Sequence, residues 1–451
     1  MLAETAPETL LRIRSGPFYD AWETADPETR RRVIARKLEE YVRFASRRVP
    51  FYKPRLAAYD PKAEHPLLNV PALRSEELRG LLPPVSARLL SRKTENYTVF
   101  QSGGTTGFPK TTLFSHEELE VLNFPNARGF YAVGLTPHDR VCNLFAVGGL
   151  YMTFIHINRM LQQYGCQNFP FSNHTPVDFI HTVVKLFKIN CITGIASVAL
   201  DCLRGMEKIG LDGIKIKKLY YGGEHFYEAD KREVRDKYGI EIVAAPGYGT
   251  VESWYLGYQC RACPTGVFHA HDDQSYLEII DEESGRACAP GQTGMLHVTA
   301  FPRRLTPVVR YRVGDLAHWM KAPCRCGRTT PLFKLLGRGD DVLRIGFDSI
   351  DYPFVQESVS RVKGLLGTVQ MQKTREQGRD RLTVRVESHA SPRDFKKLAQ
   401  ALDEEVRGKR PTLRKAVAEK TIWPVKIEIL KSGSLPRNPR TGKLVRVIDA
   451  L

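Results

Sequence analysis

Between Val141 and Val251 short apolar runs alternate with segments of helical periodicity, and this alternation restricts the chain more than any other feature. Strands are predicted at Val141–Val147, Cys191–Ile195, Leu219–Tyr221 and Ile242–Ala245. Helices are predicted between them at Pro176–Phe187, Val198–Lys208 and Glu228–Lys237. A helix between two strands returns the chain to the same end of the sheet, so such strands pair in parallel. Ligands of parallel sheets bind beyond the carboxyl ends of the strands, which directs attention to the loops after 147, 195, 221 and 245.

The flanking regions differ in pattern. Upstream, Pro27–Arg48 follows an Asp-Pro start and spaces Val33, Ile34, Leu38, Tyr41, Val42 and Ala45 as one face of a helix. Downstream, Tyr276–Asp281 and Met295–Phe301 are predicted as antiparallel strands, with a turn through Glu283-Ser284-Gly285. The Gly-rich stretch Gly337–Asp341 marks a boundary. Beyond it lie a strand at Leu382–Glu387, a helix at Asp394–Val406 and a strand at Val425–Leu430, a small α+β module. At 451 residues and 42% hydrophobic composition the chain holds several domains and a sizeable core.

Charge bears on partners. The net charge is +17, and residues 341–451 carry 23 Lys/Arg against 14 Asp/Glu, about half of the excess. Such a basic face suits a polyanionic small molecule, an acidic carrier protein or a nucleic acid, but there is no nucleic-acid recognition module and no long arginine-rich run. No apolar stretch reaches membrane-spanning length, and the N-terminus lacks the apolar core of a secretory signal. A soluble cytoplasmic protein is expected, with no membrane partner.

Residues 101–112 read Gln-Ser-Gly-Gly-Thr-Thr-Gly-Phe-Pro-Lys-Thr-Thr. Ser102, Gly103, Gly104, Thr105, Thr106 and Gly107 supply a tight backbone with exposed N–H groups and short hydroxyl donors, and Lys110 adds positive charge. These are the requirements of a polyphosphate site. It is not a Walker A loop, because Phe108-Pro109 separate the last glycine from the lysine.

This loop resembles the phosphate loop of adenylate-forming enzymes, the superfamily of acyl-CoA synthetases, peptide-synthetase adenylation domains and luciferases. Five further segments agree in order. Tyr221-Gly-Gly-Glu-His225 resembles the adenine-contacting turn, and Gly247-Tyr-Gly-Thr-Val-Glu252 the aromatic–Gly–hydroxyl–Glu motif. Arg310-Tyr-Arg-Val-Gly-Asp315 resembles the ribose motif, Gly337-Arg-Gly-Asp-Asp341 the hinge, and Leu435–Lys443 the terminal lysine motif. Within the superfamily the chain is most similar to the phenylacetate–CoA ligase branch, through Val49-Pro-Phe-Tyr52, Cys324-Arg-Cys-Gly-Arg-Thr329 and Gly433-Ser-Leu-Pro-Arg437.

The resemblance implies an α/β fold: a large N-terminal domain, 1–339, of mixed sheets flanked by helices with a small β-subdomain, and a small mobile C-terminal α+β domain, 340–451. It implies an ATP-dependent ligase that converts a carboxylic acid to an acyl-adenylate, releases pyrophosphate and transfers the acyl group to coenzyme A. Lys443 would neutralise charge between acid and α-phosphate, Glu252 would hold Mg²⁺, and Thr250 would touch the α-phosphate. Residues 102–107 with Gly223, Glu224, Tyr248, Gly249, Asp315 and Arg338 would hold ATP. Tyr248 would stack on the adenine, and Asp315 would accept bonds from the ribose hydroxyls. Asp340 would be the hinge. Arg310 or Arg312 would pair with Asp315 or Glu252. Phe145, Gly148, Gly149, Tyr151, Ala196, Ala245, Pro246 and Gly247 would line a pocket suited to an aryl or arylacetic acid. A carrier-protein phosphopantetheine is the alternative acceptor, and a homodimer is left open. The rival from another class is a zinc-stabilised basic nucleic-acid-binding protein.

Nine cysteines are too few for a disulfide scaffold. Two close pairs, Cys260/Cys263 and Cys324/Cys326, stand with His269 and His271 as thiolate and imidazole donors suited to structural zinc. The resemblance to the phenylacetate ligase branch points to Cys263, His269, Cys324 and Cys326 as the set. Cys260 and His271 compete for the same positions.

Overall fold

The computed structural model describes residues 16–101, 110–224, 226, 228–339, 342–345, 348–377, 379–438 and 442–449. Ser102, Gly103, Gly104, Thr105, Thr106 and Gly107 of the glycine-rich loop, and Asp340, lie outside the described residues. The fold is mixed α/β and divides into two compact units: residues 1–225 with 239–335, and residues 226–238 with 336–451. This division falls after Leu335, where the sequence reading set it after 339, and it groups the helix Glu228–Tyr238 with the second unit.

A five-stranded parallel sheet organises the first unit, in the spatial order Gln167–Pro170, Arg140–Leu144, Cys191–Ile195, Lys218–Gly222, Ile242–Ala244. Every residue of Cys191–Ile195 is buried, as a central strand covered on both faces must be. From Arg140–Leu144 the chain moves to one side, and from Cys191–Ile195 it moves to the other. The adjacent ends at Leu144 and Ile195 therefore flank a topological switch point, where parallel sheets open a crevice. The predicted strand Val141–Val147 ends at Leu144, since Phe145 turns back to donate its N–H to Asn143 Oδ1 at 3.1 Å. The helix Thr153–Tyr164 and the edge strand Gln167–Pro170 were not foreseen.

The helix Pro27–Arg48 begins and ends where its sequence indicates. The Asp26 carboxylate accepts from the N–H groups of Glu28 and Thr29 at 3.0 and 2.9 Å, Pro27 occupies the first turn, and Arg47 and Arg48 occupy the last. Its buried face carries Leu38, Tyr41, Val42 and Ala45. Tyr41 donates its hydroxyl to the Arg303 carbonyl at 2.6 Å, tying this helix to the second sheet of the unit.

That sheet has eight strands. Ser275–Asp281 pairs antiparallel with Gly294–Ala300, as expected, but the turn after Asp281 first feeds a two-residue edge strand, Arg286–Ala287. Its other edge holds Tyr248–Thr250 beside Trp254–Tyr258, so the two sheets meet through the segment 245–258. Thr98–Gln101 and Thr111–Phe114 form a separate hairpin whose last pair is Gln101 and Thr111, on either side of the glycine-rich loop.

The second unit is built on a four-stranded sheet, Lys426–Lys431, Arg379–Ser388, Leu365–Glu376 and Val447–Asp449, with helices Tyr352–Arg361, Phe395–Lys409 and Pro411–Ala418. Val369, Met371, Val384, Val386, Leu402 and Val406 form its core. Among the described residues no helix is long and apolar enough to cross a membrane.

Candidate active site

The segments after the parallel strands carry half of the residues singled out in the sequence. Phe145 is buried, and its ring lies 3.4 Å from where a Cβ on Gly222 would stand, so that strand end admits no larger residue without displacement. Gly148 and Gly149 have φ of +81° and +53°, and the neighbouring Leu150 carbonyl accepts from Gln101 N at 2.9 Å. The strand leading into the glycine-rich loop is thus tied to the proposed acid pocket. Tyr151, Ala196 and Ala245 are buried, and Ala245 exchanges bonds with Gln259 at 2.8 and 3.2 Å. A Cβ on Gly129 would come within 1.8 Å of the Pro246 carbonyl, which shows how tightly the 245–247 segment is held. Gly223 has φ +75°, and the Glu224 carboxylate accepts from Ser197 N at 3.3 Å, linking the ends of two neighbouring strands.

Glycine is required within 247–252. A Cβ on Gly247 would lie 2.3 Å from the Tyr255 ring, and one on Gly249 would lie 2.1 Å from the Trp254 carbonyl oxygen. The strand therefore runs flat against its neighbour and presents Tyr248 and Thr250. The Tyr248 hydroxyl donates to Asp315 Oδ2 at 2.5 Å, and its ring packs on Phe268 and Phe333. Thr250 Oγ1 lies 2.8 Å from Ser253 Oγ.

Glu252 is 3% exposed and pairs with Lys110, whose Nζ stands 2.8 Å from Oε1. Burial pushes this carboxyl up, but the Lys110 ammonium outweighs it and holds the pKa below the ordinary carboxylate value. Lys110 also donates to Tyr311 Oη at 2.9 Å, and Tyr311 Oη lies 3.1 Å from Ser75 Oγ. Behind Glu252, the fully buried Arg303 donates to the Glu252 carbonyl at 3.0 Å and to Glu118 at 3.1 Å, with its guanidinium 3.5 Å above the Phe114 ring. Arg303 was not singled out in the sequence, where it is one of many arginines without a motif.

Arg310 and Arg312 each meet a carboxylate other than Asp315 and Glu252. Arg310 Nε faces Glu278 at 3.4 Å, and Arg312 holds Glu282 in a fork at 2.6 and 2.8 Å. The strand Val308–Trp319 is irregular here, with Arg310 at φ +46° and a register shift between Val308 and Tyr311. Arg338 and Lys443 belong to the second unit. The Lys443 carbonyl accepts from Asn438 N at 2.7 Å, and Arg437 bridges to Leu444.

The cysteines converge, with one change of membership. One sulfur each of Cys260, Cys263 and Cys324 and one ring nitrogen of His269 lie within 4.8 Å of one another. Cys260 Sγ is 3.5 Å from Cys263 Sγ and 3.6 Å from Cys324 Sγ. Cys326, placed in the set on sequence, sits 3.5 Å from His269 Nε2 at the margin of this group. His269 Nδ1 faces Thr330 Oγ1 at 2.9 Å, which turns Nε2 towards the sulfurs. Burial pushes the Cys326 thiol up, yet His269 and Arg328 beside it bring it down to about 5. His271 is excluded from the group: its Nδ1 lies 3.1 Å from Arg128, in a buried network with Asp20 and Asp273. Three thiols and an imidazole at this spacing fit a tetrahedral zinc site.

Over most of its length the chain is similar to proteins of known activity. It is 25% identical over 444 residues to a phenylacetate–coenzyme A ligase of Thermus thermophilus, covering 95% of this chain and 98% of that protein. It is 24% identical over 444 residues to a phenylacetate–coenzyme A ligase of Escherichia coli, covering 95% and 97%. Its fold matches the crystal structure of 2-hydroxyisobutyryl-CoA ligase in complex with 2-HIB-AMP, with a TM-score of 0.79 and 21% identity over 96% of this chain and 93% of that one. The family model described as AMP-binding enzyme covers residues 47–300, more than half of the sequence, and the chain accordingly belongs to the AMP-binding enzymes.

Proposed function

We propose that the chain is an ATP-dependent ligase that activates an aryl or arylacetic acid as its acyl-adenylate and transfers the acyl group to coenzyme A. The observation that carries this reading is the buried Lys110–Glu252 pair, which joins the residue that follows the glycine-rich stretch in sequence to the glutamate of the 247–252 motif. A carboxylate attacking a polyphosphate needs positive charge and alignment more than proton transfer. Lys110, at the end of the loop, and Lys443, on the second unit, supply that charge.

In this reading the N–H and hydroxyl groups of residues 102–107 hold the phosphates, and Thr250 contacts the α-phosphate. Tyr248 offers its ring to the adenine, Gly223, Glu224 and Gly249 shape the nucleotide seat, and Asp315 accepts the ribose hydroxyls. Arg338 reaches the nucleotide from the second unit, and Asp340 is the pivot. Glu252 is the oxygen ligand for Mg²⁺, which when bound neutralises phosphate charge. Phe145, Gly148, Gly149, Tyr151, Ala196, Ala245, Pro246 and Gly247 form an apolar wall with glycine gaps that suits a flat ring. Cys260, Cys263, His269 and Cys324 hold a structural zinc remote from the chemistry.

The test is acid-dependent pyrophosphate release across a panel of aryl, arylacetic and fatty acids, followed by mass analysis of the thioester. Release with arylacetic acids and an acyl-CoA product supports the reading. Acylation of a phosphopantetheinylated carrier protein in place of coenzyme A would move the acceptor, and release with fatty acids alone would overturn the proposed pocket.

A further inference from the structure

Three groups among the described residues surround the Lys110 ammonium. It stands 2.8 Å from Glu252 Oε1, 2.9 Å from Tyr311 Oη and 3.5 Å from Ser75 Oγ. The two hydroxyls are themselves joined at 3.1 Å. Their backbones are fixed to each other: Leu73 N donates to the Arg310 carbonyl at 2.9 Å and the Leu73 carbonyl accepts from Arg312 N at 3.0 Å, with Tyr311 between. Lys110 therefore rests in a built seat of one carboxylate and two hydroxyls, with its side chain 15% exposed and that of Glu252 4% exposed.

This seat conflicts with the roles of both residues in the proposed function. A buried carboxylate needs a cation while the nucleotide is absent, because an unpaired buried charge is strongly unfavourable. A divalent cation on Glu252 would place two like charges within a few ångströms of each other in a site shielded from water, where repulsion is largest. An ammonium held there is also withheld from the phosphates. We propose that Lys110 is a resident counter-ion that exchanges partners. In the empty site it neutralises Glu252, parked there by Tyr311 and Ser75; on nucleotide binding it transfers to the phosphates and leaves the carboxylate to the incoming cation. Tyr311 and Ser75 are positioning residues of the parked state. This inference rests on the ligase reading above.

The parked state opposes binding, which gives Tyr311 an unusual sign. A hydroxyl that merely aimed Lys110 at the nucleotide would be missed on removal, and affinity would fall. A hydroxyl that stabilises the parked state competes with the nucleotide, and affinity rises when it is removed. The experiment is equilibrium binding of a non-hydrolysable ATP analogue with Mg²⁺ to the full chain, by calorimetry, for wild type, Tyr311→Phe and Ser75→Ala. We expect binding about threefold to tenfold tighter in Tyr311→Phe and a smaller gain in Ser75→Ala. Thermal unfolding of the nucleotide-free protein supplies the second readout. Lys110→Met should lower Tm, and adding Glu252→Gln should restore most of the loss, because the double variant leaves no unpaired buried charge. Weaker binding in both hydroxyl variants, or additive losses in the Lys110/Glu252 pair, would overturn the exchange while leaving the ligase reading intact. Wild type that binds no nucleotide would overturn both.

Discussion

At the scale of single residues, charge placement separates chemistry from architecture. Glu252 and Glu118 are both buried beside cations, Lys110 and Arg303, yet only the first belongs to one of the motifs read in the sequence. Lys443, whose carbonyl accepts from Asn438 N, is proposed to act in one half-reaction alone. Lys443→Ala is expected to slow adenylation by about 10²–10³-fold, in line with loss of a preorganised electrostatic group. Thioester formation from supplied acyl-adenylate should be spared, and single-turnover assays of the two halves check this; equal losses in both would contradict the assignment. His156 gives a residue-level prediction about stability. It is buried, 2.9 Å from Asn126 Nδ2 and edge-on to Trp254, and burial pushes its pKa down to about 3. The folded chain favours the neutral ring, so unfolding takes up a proton below the ordinary value near 6.5. Its contribution is complete above that pH and is lost as pH falls towards 3. Denaturation of wild type and His156→Phe at several pH values should show their stability gap shrinking by ~1.4 kcal/mol per unit between pH 6 and 4. A constant gap would mean that His156 does not titrate with folding.

At the scale of elements, what the sequence disclosed followed how cleanly each element is amphipathic. The helix Pro27–Arg48 has an Asp-Pro start and one apolar face, and its observed limits coincide with the expected ones. Cys191–Ile195, all buried, was equally legible as a continuous apolar run. The edge strand Gln167–Pro170 was not, since its half-buried polar residues and proline carry no strand signal. Leu365–Glu376 is concealed differently: Val369, Met371 and Lys373 face inward, and the lysine breaks the apolar alternation because Asp380 meets it at 3.6 Å. The site divides in the same way. Glycine positions such as Gly247 and Gly249 were readable as motif members, whereas the Lys110–Glu252 partnership joins residues far apart in sequence and follows from tertiary packing. The same limit explains the cysteine set, where spacing could not distinguish Cys260 from Cys326. The cluster joins two loops to the strand Val267–Ala270, so purified protein should hold about one zinc per chain. Cys263→Ser with Cys324→Ser should release the metal and lower Tm, while the folded fraction keeps appreciable activity. Metal analysis without zinc, together with unchanged melting of that variant, would leave these thiols as ordinary buried side chains.

At the scale of the whole molecule, two units of different character share one chain. The first combines a five-stranded parallel sheet with an eight-stranded sheet whose strands and turns carry Tyr248, Glu252, Tyr311 and Asp315. The second is a small α+β unit that carries Arg338 and Lys443 and much of the basic excess. A nucleic-acid-binding role leaves unexplained the buried Lys110–Glu252 pair and the Tyr248–Asp315 bond, both within the first unit. The central claim is that the acid's own carboxylate attacks the α-phosphorus of ATP. Oxygen tracing tests it most directly. With an arylacetic acid labelled with ¹⁸O in the carboxylate, complete turnover in the presence of coenzyme A should leave one labelled oxygen in AMP and none in pyrophosphate. Label recovered in inorganic phosphate, with ADP as the nucleotide product, would contradict an acyl-adenylate and the account built on it.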